Sequence, residues 1–439
     1  MLRDAAQAPT LPGKLPLFGH LPALARDTLG VLRKAQHEIG PVFWYNAGFR
    51  DAPTLMVLGE EGFSVLRTKR ADSSHMADFD LFLGGSMLTL DGAPHRRVRG
   101  VSGPAFTPAG LGRAQVGEII TQTVERRLDT WRPRAQIDVV GEAKVIALEV
   151  IFRVMGVEVR DLPDWSRWYG EYTLGAIRLP FEFPGSPRWR GGRARAWLEE
   201  RIREIVNQAR AKDDRDSIVG AMVHGHDEGG IGLSERELID NLLILGFAGH
   251  ETTASTMAWS MLYLAQYPEY WDRLCEEATA MDEVPNDYTQ LAERAPLAAG
   301  VFRESLRLYP PVSTDTRHIN AELELERSGY RVPANTIVGT SLMLLSRDPN
   351  HYEDPERWLP ERWLGLERKP TVVENCQFGG GAHFCLGYHM ALLEGTLFLV
   401  HAARRLAAWG LRPRPQGPIP KPKFVPLTQP PRKVKLGLA

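Results

Sequence analysis

Phe378-Gly379-Gly380-Gly381-Ala382-His383-Phe384-Cys385-Leu386-Gly387 is a glycine-rich loop that delivers one cysteine to the start of a helical run beginning near Tyr388. At a helix start the free backbone N–H groups and the positive end of the macrodipole stabilise a thiolate, which is the form of cysteine that binds metal. One thiolate is enough to hold an iron atom from one axial side, whereas zinc asks for about three or four protein ligands. The remaining cysteines, Cys275 and Cys376, form no CxxC spacing with it or with each other. That argues against a structural zinc site, an iron–sulfur cluster or a disulfide framework, and fits a reducing cytosol. A cysteine taken alone is more often an inert core residue, so the ten-residue pattern carries the reading.

Working outward, three further stretches hold chemistry-bearing residues. Glu304-Ser305-Leu306-Arg307 places a carboxylate and a guanidinium three apart, on one face of a helix that Pro310-Pro311 ends. Trp358-Leu359-Pro360-Glu361-Arg362-Trp363 follows, with a second guanidinium. Upstream, Ser234 to Glu237 reads as a capping box that opens a helix running to just before Pro268. Such a helix is roughly 50 Å long at 1.5 Å per residue. It is apolar on most faces around Leu242, Leu243, Leu245 and Phe247, so a central, buried position is expected. Within it lies Ala248-Gly249-His250-Glu251-Thr252-Thr253. Burying Glu251 alone would be costly, so the plain reading is that it faces solvent or pairs with a nearby Arg. The small Ala248-Gly249 pair lets something bulky and flat lie against the backbone.

The cysteine loop matches F-x-x-G-x-x-x-C-x-G at every fixed position and thereby resembles the haem-binding signature of the cytochrome P450 family. Glu304 to Arg307 resembles the family's ExxR motif, and Arg362 the arginine that completes its triad. Ala248 to Thr253 is similar to the oxygen-activating helix motif, with Glu251 as the acid and Thr252 as the alcohol. The four motifs stand in the family's order and at its usual separations, and the resemblance covers nearly the whole chain. The resemblance implies a mainly α fold with a minor β region, a long central helix over a haem and the cysteine loop on the other haem face. It implies a b-type haem with Cys385 as axial ligand, bordered by Ala248, Gly249, Phe378, Gly379 and Gly387. His95, Arg99, Arg317 and His383 are the expected partners of the haem propionates. Glu251 and Thr252 are the expected catalytic pair, relaying protons to dioxygen. By family topology the substrate pocket draws on Phe79, Leu81, Phe82, Leu83, Leu242, Leu245, Phe247, Val312, Thr314 and Leu427, a mostly apolar set.

The rest of the chain accords with a single domain over residues 1–439. Composition is 43% hydrophobic and 24% charged, ordinary for a globular protein, and no Gly/Ser-rich or Pro-rich linker divides it. VFWYNAG and TLMVLG, within residues 11–60, read as strands; residues from Pro108 to about Asn350 read as mostly helical; ALLEGTLFLVHAARRL reads as a helix and RKVKLGL as a last strand. The N-terminal stretch lacks an apolar run of signal-peptide or membrane-span length. A formal charge of -1 draws the protein to neither nucleic acid nor anionic membrane.

The expected function is that of a cytoplasmic, monomeric monooxygenase: an oxidoreductase that activates dioxygen and hydroxylates an apolar small molecule, of isoprenoid or fatty-acid type. No flavin, nicotinamide or ferredoxin module is visible, so electrons are expected from a separate ferredoxin and reductase. Arg96, Arg97, Arg404 and Arg405 are candidate contacts for an acidic ferredoxin. A peroxide-driven peroxygenase and a haem sensor without turnover are the rival readings. Both are disfavoured by the presence of Glu251 beside Thr252.

Overall fold

The side chain of Ser234 accepts the backbone N–H of Glu237 while the Glu237 carboxylate accepts the N–H of Ser234, and this capping box opens a helix at Glu235 that runs to Gln266. It ends at Tyr267, where the following Pro268 disfavours continued helix. The start and the length agree with the sequence expectation. In the computed structural model, described over residues 2–46, 53–175, 182–366, 368–424 and 427–439, this helix is the longest element.

The chain forms two compact units, each assembled from separated stretches. Unit one comprises residues 1–75, 303–385 and 419–431; unit two comprises residues 76–302, 386–418 and 432–439. The helices that bear on the site are, in chain order, α1 (Gly92–Ser102), α2 (Val139–Val154), α3 (Leu162–Leu174), α4 (Pro187–Ala211), α5 (Glu235–Gln266), α6 (Pro296–Leu308) and α7 (Tyr388–Ala408). The strands are β1 (Arg3–Asp4), β2 (Val42–Tyr45), β3 (Thr54–Val57), β4 (Ala71–Asp72), β5 (Gln136–Asp138), β6 (Thr314–Ile319), β7 (Leu323–Leu325), β8 (Tyr330–Val332), β9 (Ile337–Ser341), β10 (Pro413–Pro415) and β11 (Lys435–Leu438).

Unit one holds a five-stranded sheet in the order β2-β3-β9-β6-β4 and a three-stranded sheet in the order β1-β8-β7. Val42 pairs antiparallel with Val57, and Arg317 pairs with Val338. Apolar side chains of these strands, among them Leu55, Val57, Ile319, Val332 and Val338, form one buried cluster. This corrects the expectation of helix up to Asn350: residues 314–341 are four short strands. Their segments of three to six residues are too short to show a period, and the β-branched Thr314, Thr316, Ile319, Ile337 and Val338 find their partners in strands well separated along the chain.

Unit two is helical, with α5 buried over Leu238–Gly246 and again over Thr253–Ala265. Helix α2 packs along α5, α3 along α4, and a three-stranded sheet in the order β10-β11-β5 closes the unit. The stretch Gly381–Ala408 is long and apolar enough to cross a membrane by length and composition, but 56% of its most apolar window is buried in the protein, as in a core helix.

Candidate active site

In unit one, three glycines shape the cysteine loop. Gly379 and Gly381 take positive φ angles of 75° and 66°, and a Cβ on Gly381 would lie 2.3 Å from the carbonyl oxygen of Leu66. A Cβ on Gly380 would press on the ring of Phe63 at 3.3 Å. The loop therefore lies flat on the Phe63–Arg67 segment, and the N–H of Cys385 closes it by donating to the carbonyl of Phe378 at 2.9 Å. Cys385 is half-buried and stands just ahead of α7, whose N-cap is Gly387. Cys376 is fully buried, 3.4 Å from the Ser346 hydroxyl, and burial pushes its thiol up to about 12. Burial likewise pushes Cys275 up to about 11. Both stay protonated near neutral pH and are poor metal ligands.

Unit one also holds the ion cluster of Glu304. This carboxylate accepts from Arg307 Nε and Nη2 at 2.8 and 2.7 Å, from Arg362 Nε at 3.3 Å, from the Trp363 indole at 3.0 Å and from the N–H of Leu359 at 2.9 Å. Arg307 gives its remaining donors to the carbonyls of Ser346, Pro355 and Arg357. Neither Glu304 nor Arg307 is exposed. The bracketing of one carboxylate by two guanidiniums agrees with the sequence expectation; Trp363 and the three carbonyls had no signal in it. Of the expected propionate partners in this unit, Arg317 is buried on β6 and donates to Asp315 and to the Thr316 carbonyl, each at 2.7 Å. His383 Nε2 lies 3.4 Å from the Ser73 hydroxyl.

In unit two, His95 is 2% exposed and Arg99 half-buried, both on α1. Helix α5, buried on either side, opens at Phe247–Thr252: Ala248 is exposed and its neighbours partly so. Glu251 accepts from Lys144 Nζ on α2 at 2.7 Å, and His250 Nδ1 lies 3.8 Å from its other oxygen. Burial pushes the His250 imidazole down to about 4, so it is neutral beside this ion pair. The Thr252 hydroxyl donates to the Ala248 carbonyl at 2.5 Å. A Cβ on Gly249 would meet Ile151 at 3.2 Å, where α2 packs on α5.

The pocket residues divide between the units. Phe82 stacks on Tyr172 with centroids 5.2 Å apart and meets Phe247 edge-on at 4.8 Å. Leu83, Leu242 and Leu245 are buried and Leu81 is half-buried. The side chain of Phe79 lies outside the described residues. Val312, Thr314 and Leu427 belong to unit one, where Val312 is exposed and the other two half-buried. Beside Leu81, the start of α4 borders an open cavity of about 450 Å³ with Trp189 and Arg193 on its wall.

Three of the four arginines expected to meet a ferredoxin are engaged inside unit two. Arg97 pairs with Glu237, Arg404 donates to the carbonyls of Ala278 and Met281, and Arg405 pairs with Glu125 and Asp129. Arg96 is exposed.

The sequence profile of the cytochrome P450 family matches residues 9–163 and 181–437. The chain is 34% identical over 435 residues to cytochrome P450 BJ-4 of Bradyrhizobium diazoefficiens, covering 98% of this chain and 96% of that protein. It is 29% identical to cyclooctat-9-en-7-ol 5-monooxygenase of Streptomyces melanosporofaciens, covering 92% and 90%. Its fold is similar to that of retinoic acid-bound cyanobacterial CYP120A1, with a TM-score of 0.82, 24% identity and 99% of both chains covered. With its glycine-rich cysteine loop, its buried glutamate–arginine cluster and its acid–alcohol helix, the chain belongs to the cytochrome P450 family.

Proposed function

We propose that this P450 monooxygenase binds one b-type haem through Cys385 and hydroxylates an apolar small molecule of isoprenoid or fatty-acid type, drawing electrons from a separate ferredoxin and reductase. The observation that carries the reading is the contrast among the cysteines. Burial raises the thiol pKa of Cys376 and Cys275, whereas Cys385 stands just ahead of a helix on a loop that Gly381 seats against the Leu66 carbonyl. The donor set fits a haem in its chemistry. It offers one thiolate candidate, buried cationic or donor groups at Arg317 and His95 for carboxylates, and an open stretch at Ala248 in an otherwise buried helix. When bound, the haem supplies dioxygen activation, which consumes two electrons and two protons and yields water and an oxidant of C–H bonds.

The residues of the chain then divide the remaining work. Glu251 holds a carboxylate at the open stretch, neutralised by Lys144, and passes protons when that pair loosens. Thr252 turns its hydroxyl from the Ala248 carbonyl to donate at the reacting oxygen. Phe82, Leu83, Leu242, Leu245 and Phe247 present an apolar wall that keeps water out and orients an apolar substrate. By their names, one relative acts on cyclooctat-9-en-7-ol and one structural neighbour binds retinoic acid; both are carbon-rich isoprenoids, which supports the substrate class. Three free cysteines support a cytoplasmic, reducing setting. We take residues 1–439 as one haem domain.

The test is spectroscopic first. The reduced carbonyl complex of fresh protein is expected to show the red-shifted Soret band of thiolate ligation, kept in Cys275→Ser and Cys376→Ser and lost in Cys385→Ser. A histidine-like carbonyl spectrum in the parent overturns the ligand assignment. Substrate-dependent NAD(P)H consumption with an oxygenated product is expected only with ferredoxin and reductase present. Equal product from peroxide alone would establish a peroxygenase, and absence of any product with every partner supplied would establish a sensor.

A further inference from the structure

The segment Leu81–Met87 carries three of the apolar pocket residues, and side chains from three different helices hold its backbone. The carbonyl of Leu81 accepts from Arg195 Nη1 on α4 at 2.7 Å, and the carbonyl of Phe82 accepts from the Tyr172 hydroxyl on α3. The N–H of Gly85 donates to Asp240 on α5 at 2.9 Å, and the N–H of Met87 donates to the Asn241 side-chain oxygen at 2.9 Å. Arg195 and Asp240 also pair with each other, with side chains 9% and 1% exposed. Glu199 and Arg236 flank them: Arg195 donates to Glu199 at 2.7 Å, and Arg236 donates to Asp240 at 2.9 Å.

A buried ion pair is costly unless its remaining donors and acceptors are satisfied, and here backbone groups of the segment supply part of that satisfaction. The segment and the pair are therefore mutually dependent: moving Leu81–Met87 outward orphans backbone groups and uncovers a buried charge pair together. The fit is also steric. Gly84 has φ +55°, and a Cβ there would lie 2.6 Å from an Asp240 oxygen, so the segment must pass this carboxylate without a side chain. On the other side Leu81 abuts Gly175, where a Cβ would come within 3.3 Å of its methyl group.

We infer that Arg195 and Asp240 are positioning residues for the substrate pocket: their buried pair clamps Leu81–Met87 as a closed wall, and release of that clamp sets how readily a bulky ligand enters. This rests on the reading of Leu81, Phe82 and Leu83 as pocket residues. The pair acts through the segment's backbone and touches no substrate. A ligand small enough to pass the closed wall does not depend on it.

The test uses the haem-loaded enzyme and two haem-binding probes, imidazole and the bulky azole clotrimazole, with association followed by stopped-flow absorbance. Hydrogen exchange of the 84–87 amides is followed in parallel. Asp240→Asn removes the charge while keeping the shape, Arg195→Lys keeps the charge but loses the forked contact, and Tyr172→Phe removes one neutral donor. Losing a charge-assisted hydrogen bond of this kind is expected to raise both clotrimazole association and 84–87 exchange by roughly tenfold or more in Asp240→Asn, with imidazole association within about twofold of the parent. Arg195→Lys and Tyr172→Phe are expected to lie between. If Asp240→Asn does not load haem, Tyr172→Phe carries the same comparison without a change of charge. Unchanged exchange at 84–87, or equal acceleration of both azoles, overturns the clamp. Faster exchange with unmoved azole rates overturns its role in the pocket while leaving the haem-thiolate reading intact.

Discussion

At the scale of single residues, Glu251 and Thr252 are adjacent on α5 yet restrained by different bonds, one an ion pair to another helix and the other a bond to its own helix backbone. That difference separates their variants. Thr252→Ala removes no charge and no tertiary contact, so haem content, the thiolate spectrum and substrate affinity are expected to persist. The change is expected in how electrons are spent: NAD(P)H oxidation continues while hydrogen peroxide replaces hydroxylated product. Glu251→Gln instead loses a proton carrier and is expected to slow the whole cycle on the order of a hundredfold. Measuring NAD(P)H consumed, peroxide released and product formed distinguishes the two. Parental coupling in Thr252→Ala would remove this residue from the catalytic set. Both residues were legible in the sequence through their motif. Lys144 was not, because it lies 107 residues away and meets Glu251 only once α2 packs on α5. The closeness of Ile151 to Gly249 was likewise not legible, because a small residue in a helix announces a close neighbour without naming it.

At the scale of elements, the packing of α7 on α6 depends on Gly395. A Cβ there would sit 2.2 Å from the ring of Phe302 on α6. Gly395→Ala is therefore expected to lower stability by about 1 to 3 kcal/mol through overpacking, despite alanine's better helix propensity. Denaturant unfolding of the haem-loaded protein checks this; a variant as stable as the parent would show that α7 shifts freely against α6. Long helices were read well from the sequence because caps and prolines mark their ends, as Ser234 and Pro268 do for α5. The strands from β6 to β9 were missed because each is short and takes its identity from remote partners such as β3. The Glu304–Arg307 pair was legible from its spacing of three. The carbonyls at 346, 355 and 357 that close over Arg307 were not.

At the scale of the whole molecule, neither unit is a continuous piece of chain. In unit two, β11 is the middle strand between β10 and β5, with Leu436 opposite Ile137 and both buried. Removing residues 432–439 is expected to strip two strand pairings at once and to lower the yield of folded, haem-loaded protein sharply, whereas Lys435→Ala, which keeps every backbone hydrogen bond, is expected to stay within about 0.5 kcal/mol of the parent. Purified yield and thermal melting test this, and a truncated chain that melts like the parent would show β11 to be dispensable. The pairing of β11 with β5, and of β1 with β8, also constrains how the polypeptide matures during translation. A ribosome must add about 300 residues after β5 before its partner strand exists, and β1 waits a similar interval for β8. During that time Ile137 and the edges of β1 and β5 stay unpaired, so the nascent chain is expected to need holding chaperones, and slowed elongation near the end of the message is expected to raise aggregation, measurable as the insoluble fraction on expression.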